Sequence, residues 1–138
     1  MLPRCPFEKS LLSGHATCEL AEREYQGERT GVVCRVSEAK CECQRLLDSL
    51  RKNARFALKV HDTDAALPFG KEMKVMFGGL LGLQRVVNGD THDRATVGNV
   101  HALVKAAGMQ PGGVDGLPYS EIMRSVTVWT SPRRSGKS

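Results

Sequence analysis

The sequence predicts a mainly α-helical protein with a small β-hairpin, in which a cysteine-bearing N-terminal module packs on a body of about four helices. Three observations carry that expectation. Apolar residues recur at the 3.6-residue helical period after Ser37, and a second long stretch after Leu67 is apolar on nearly all sides. Two short runs before Ser37 flank a glycine-centred connection. All five cysteines fall within the first 43 of 138 residues. The expected organisation is a single domain over 1–130, with a cysteine-rich module at 1–43, a helical body at 44–130 and a basic flexible tail at 131–138.

The runs Ala16 to Tyr25 and Arg29 to Val36 read as strands joined by Gln26-Gly27-Glu28. Strand alternation puts Val32, Cys34 and Val36 on one face and brings Cys18 opposite Cys34 within a residue or two of register. A helix over Cys18 to Gln26, opened by Cys18, is the alternative. Ser37 is expected to cap the next helix, with Glu38 in its first turn. That helix should run to about Leu58. Its apolar stripe is Cys43, Leu46, Leu47, Leu50, Ala54 and Ala57. Cys43 lies within the stripe, whereas Cys41 projects roughly 160° away from it.

From Leu67, with Pro68 in the first turn, a helix through Met73, Val75, Met76, Phe77, Leu80, Leu81, Leu83, Val86 and Val87 should end at Asn88-Gly89. It is apolar on nearly all sides, which marks it as the buried centre. Gly78, Gly79 and Gly82 interrupt it, at a cost of up to about 1 kcal/mol each relative to alanine. Close helix–helix approach, or backbone against a cofactor or partner, would offset that cost. These glycines do not match a phosphate loop. Asp90 to Asp93 reads as a polar turn. A helix from Arg94 or Thr96 to Ala107 follows, stopped by Gly108, with Val97, Val100, His101, Leu103 and Val104 on its apolar side. Gly112-Gly113 and Gly116 suggest a flexible loop. Pro118 opens a last helix from Tyr119 to about Thr127, and Trp129 should cover the end of the core.

Residues 1–69 carry 11 Lys/Arg against 10 Asp/Glu, and residues 70–138 carry 9 against 5. Arg133, Arg134 and Lys137 supply three of the net five positive charges, so the basicity is concentrated in the tail. With two Tyr, one Trp and four Phe there is no aromatic ladder for bases, and Arg51-Lys52-Asn53-Ala54-Arg55 offers only a modest basic helix face. Nucleic acid is therefore not the expected partner. The longest uncharged apolar stretch, Val75 to Gln84, is half the length of a membrane span. Met1-Leu2-Pro3-Arg4-Cys5-Pro6 opens no signal-length apolar run, so the expected compartment is cytoplasmic and reducing.

In that compartment the spacing C-x12-C-x15-C-x6-C-x-C points to a metal or cluster site, a redox pair or buried thiols, and not to a disulfide framework. Cys5, Cys18, Cys34 and Cys43 are the expected ligand set, with Cys41 as an alternative ligand or a spare, solvent-facing thiol near Lys40 and Arg45. Four thiolates suit an iron–sulfur cluster, [4Fe–4S] in first place, or tetrahedral zinc. Zinc sites generally draw close pairs such as C-x2-C from one tight turn, and none occurs here. His15 could join as a mixed ligand. His61-Asp62-Thr63-Asp64 and Asp90-Thr91-His92-Asp93 read as caps or solvated turns. No nucleophile elbow, H-E-x-x-H or EF-hand pattern is present. The expectation is a small iron–sulfur protein, an electron carrier or accessory redox subunit acting with a protein redox partner. The alternative is a zinc- or cluster-stabilised interaction module without redox turnover.

Overall fold

The computed structural model describes residues 2–27, 29–57, 69–88 and 96–129. The expected tail at 131–138, the turns at His61 and His92, and the helix starts at Leu67 and Arg94 lie outside these residues. Within them the fold is mainly α with one small antiparallel hairpin. A short helix α1 (Glu8–Leu12) precedes β1 (Ala21–Gln26) and β2 (Arg29–Cys34). The body then comprises α2 (Ser37–Ala57), α3 (Phe69–Met73), a π-helical turn (Lys74–Gly78), α4 (Gly79–Asn88), α5 (Val100–Gly108) and α6 (Tyr119–Val128). Among the described residues no helix is long and apolar enough to cross a membrane.

The hairpin forms in place of the helical alternative. Ala21 pairs with Cys34 and Gln26 with Arg29, and Gly27 turns the chain at φ +61°, a conformation that favours glycine. The first strand is shorter than the sequence suggests. Cys18 stands three residues before it, in a turn where the Ala21 N–H donates to the Cys18 carbonyl at 3.2 Å. It therefore lies outside the ladder and not opposite Cys34. On the other edge of β2, Pro3–Cys5 adds a short antiparallel pairing. The Cys5 N–H donates to Val32 O at 2.9 Å and the Cys34 N–H to Pro3 O at 2.8 Å. Pro3 is the first residue of this pairing, a position that tolerates a proline although it returns no bond to Cys34 O.

The Glu8 carboxylate finishes that edge, accepting the Val32 N–H at 2.7 Å and a bond from Arg4. Glu8→Ala leaves the Val32 amide of a buried strand without an acceptor, and should lower stability by about 1–3 kcal/mol. Glu8→Gln, which keeps a carbonyl oxygen, should recover most of that. The urea midpoints of the two variants check the expectation.

In α2 the Val36 carbonyl accepts the Lys40 N–H at 3.0 Å, so Val36 takes the capping position and Ser37 is the first helical residue. Of the predicted stripe, Cys43, Leu46, Leu47, Leu50 and Ala54 are buried, and the side chain of Ala57 lies outside the described residues. Arg51 is engaged by the buried carboxylate of Glu72 on α3 at 2.5 Å, which removes it from any free basic face. The α3–π–α4 segment is the centre of the body, with Val75, Phe77, Leu80 and Leu83 fully buried. It packs against α2, α5 and α6.

Glycines let these helices meet. A Cβ on Gly78 or Gly82 would run into α6 backbone, and one on Gly79 into Leu50. The close-approach reading of the three glycines therefore holds. The helix α5 begins later than predicted because Thr96–Asn99 is spent on a bridge between Val97 and Ala16. Part of the glycine segment, Gly113–Gly116, is helical. It folds into a tight 3-10 turn in which a Cβ on Gly116 would sit 2.6 Å from Pro111 O. Trp129 caps the core through edge contacts with Phe77 and His15, both at 5.6 Å between ring centres.

Candidate functional site

The hairpin register decides where the cysteines point. Directly opposed residues share a face of a sheet, and so do residues two apart on one strand. Cys5 is opposed to Val32, Cys34 to Ala21, and Val32 and Cys34 are two apart. Cys5 and Cys34 are thus diagonal neighbours on one face of β2. Both are buried, and the Cys34 thiol donates to Val36 O at 3.2 Å.

Cys43 comes to this group from α2, whose stripe turns it into the same core cluster as Cys5, Phe7 and Val32. Cys41 is exposed, on the other side of that helix. Cys18 is half-buried and packs on the core from the turn before β1. Its turn is clamped from afar: Thr17 N–H donates to Val97 O, Thr17 Oγ1 to Gly98 O, and the Val100 N–H to Thr17 O. The Glu19 N–H bonds Asn99 Oδ1, and the Glu19 carboxylate lies 2.7 Å from His101 Nδ1. That hydrogen bond holds the Glu19 carboxyl below its ordinary range.

Burial pushes the Cys5 thiol up to about 11 and the Cys43 thiol up to about 12. Neighbouring thiols add to both shifts: Cys43 feels Cys5, Cys18 and Cys34, and Cys5 feels Cys18 and Cys34. Four of the five cysteines, from four separate segments, therefore lie within electrostatic reach of one another. All five are free thiols. Among the described residues no three His, Cys, Asp or Glu side chains are arranged to hold a single metal ion.

A pH dependence follows for the metal-free protein. A thiol of the unfolded chain ionises near 9.0, whereas these two ionise only near 11 and 12 in the fold. Folded pKa values raised above the unfolded ones give stability that is complete below pH 9 and is lost as the pH climbs towards 12. The slope is about 1.4 kcal/mol per pH unit for each thiol ionised only in the unfolded chain. Cys43→Ala should flatten that decline, as urea unfolding at a series of pH values under reducing conditions would register.

The other sequence candidates have structural partners. His15 stacks on Phe77 with ring centres 4.9 Å apart. His101, read as part of an apolar face, pairs with Glu19 instead. An open cavity of about 340 Å³ lies between α2 and α5, bordered by Glu38, Glu42, His101 and Lys105, and no cysteine lines it. A smaller cavity, about 160 Å³, opens beside Cys18 and Arg23. Neither cavity is legible in the sequence, nor is the edge pairing that anchors Cys5. No protein-family model, curated protein or solved structure matches the chain.

Proposed function

We propose that this chain is a small iron–sulfur protein, an electron carrier or the accessory redox subunit of a larger oxidoreductase, working in a reducing, cytoplasmic setting with a protein redox partner. Cys5, Cys18, Cys34 and Cys43 are its cluster ligands, and [4Fe–4S] is the cofactor. The observation that carries the reading is the gathering of these four thiols from four segments, with Cys41 turned away.

The donor set suits the group, since thiolates are the soft ligands that iron–sulfur clusters and zinc take. The cluster would supply one-electron redox chemistry. The chain's own part is to present the sulfurs at the edge of an apolar core that also contains Phe7, Val32 and Leu46, restricting water and tuning the potential. Because Cys5 and Cys43 hold their protons well above neutral pH, loading the site must release protons. A cluster takes one thiolate on each iron, so its ligands need not converge on a single ion.

One observation favours a second reading, a zinc- or cluster-stabilised interaction module without redox turnover. The Pro3–Cys5 segment is held to β2 by few backbone bonds, and a ligand joining Cys5 to Cys43 would staple it to the body. Reduction separates the two. A carrier's cluster bleaches with dithionite and recovers its absorption on reoxidation. A colour that does not respond, or stoichiometric zinc in a colourless protein, supports the module and overturns the carrier.

A further inference from the structure

The four-thiol group is closed on one side and open on another. Cys5, Cys34 and Cys43 are 9%, 7% and 7% exposed. Cys18 is half-buried and lines the 160 Å³ cavity with Leu11, Ala16, Ala21, Arg23 and Val32. Arg23 opposes Val32 and Ala21 opposes Cys34, so these lining residues share the sheet face that carries Cys5 and Cys34. Of the four thiols, Cys18 alone lines the cavity. Its charged member is Arg23, whose Nη2 reaches Leu11 O at 3.5 Å. That long bond engages one of the five N–H donors of a guanidinium. A space of this size takes about five water molecules, enough for the end of a small organic anion.

We infer that this cavity admits small carboxylate-bearing disulfides to Cys18, with Arg23 holding the carboxylate and Cys18 as the reacting residue. In the exchange the Cys18 sulfur, having given up its proton, attacks one sulfur of the disulfide. The new Cys18–S bond forms as the S–S bond breaks, and the departing sulfur takes the proton and leaves as a free thiol. Cys18 is oxidised to a mixed disulfide and the other half of the reagent is reduced. The inference stands on the lining of this cavity and concerns the metal-free protein, in which Cys18 is a free thiol.

The test exposes the full-length, metal-free protein to dithiodiglycolate and, separately, to uncharged bis(2-hydroxyethyl) disulfide, with each cysteine followed by peptide mass spectrometry. Cys41, exposed on α2, is the internal reference. The expected result is modification at Cys41 and Cys18 ahead of the other three, with Cys18 favouring the anionic reagent relative to Cys41. Arg23→Gln should cut that preference about threefold to fivefold, the scale of an exposed ion pair. Arg23→Lys should largely keep it, and the ratio at Cys41 should stay unchanged in both. Modification of Cys5, Cys34 or Cys43 before Cys18 overturns the inference, as does a preference that survives Arg23→Gln. Repeating the reaction after anaerobic loading with iron and sulfide separates this inference from the cluster reading. Cys18 that stays as reactive in iron- and sulfide-bearing protein as in the metal-free form contradicts its role as a cluster ligand and leaves the cavity inference standing.

Discussion

Gly82→Ala is expected to destabilise the protein by about 1–3 kcal/mol or more, the scale of forced overpacking in a well-filled core. The new Cβ would lie 2.8 Å from Ile122 O and 3.0 Å from Ile122 Cα. These are backbone atoms of α6 and cannot swing away as a side-chain tip can. Ile122 is itself fully buried, so α6 must shift as a body or α4 must bend. The intrinsic helix preference of alanine over glycine, up to about 1 kcal/mol, works in the opposite direction and is outweighed. Gly98→Ala is the matched control, because a Cβ there meets nothing within 4 Å. Urea unfolding midpoints should place Gly82→Ala well below the parent and Gly98→Ala close to it. Equal midpoints for Gly82→Ala and the parent would mean that α4 and α6 are not in such close contact.

The second large effect concerns the thiols. Serine in place of Cys5, Cys18, Cys34 or Cys43 should reduce retained iron and sulfide by about tenfold or more, while Cys41→Ser leaves them at the parent level. The contrast between Cys41 and Cys43 is the sharpest part. The two are separated by a single residue in one helix, so their backbones share one environment, and only the side-chain direction distinguishes them. Cys43 is 7% exposed within the core and Cys41 is exposed. Far-ultraviolet circular dichroism of each variant would establish that its fold is retained before its metal content is compared. Loss of iron at Cys41→Ser with retention at Cys43→Ser would overturn the ligand assignment.

The parts of this structure that were legible in the sequence are those set by local periodicity. The stripe from Cys43 to Ala54 repeats every three or four residues, and a helix must bury it on one side. The opposite directions of Cys41 and Cys43 follow from that phase alone. The hairpin was only half legible: Gly27 marks its turn, but Ala21–Gln26 is rich in helix-favouring residues and reads almost as well as a helix. Cys18 was misplaced because its position depends on Val97, Gly98 and Asn99, some 80 residues away in sequence. Those bonds stop β1 at Ala21 and delay the start of α5. The edge pairing of Pro3–Cys5 is too short to show any periodicity, and α1 was likewise not foreseen. In the 112–116 turn Gly112 and Gly113 supply positive φ and Gly116 a close approach to Pro111 O, roles that composition alone does not distinguish.

The most direct measurement for the four-thiol centre is anaerobic purification followed by a visible absorption spectrum and iron, sulfide and zinc analysis. A brown protein with a broad band near about 400 nm, and with iron and sulfide in stoichiometric amounts, is the expected result. A folded, colourless and metal-free protein that takes up neither iron with sulfide nor zinc on reconstitution would contradict it, leaving the four buried and half-buried thiols as packing and exchange groups.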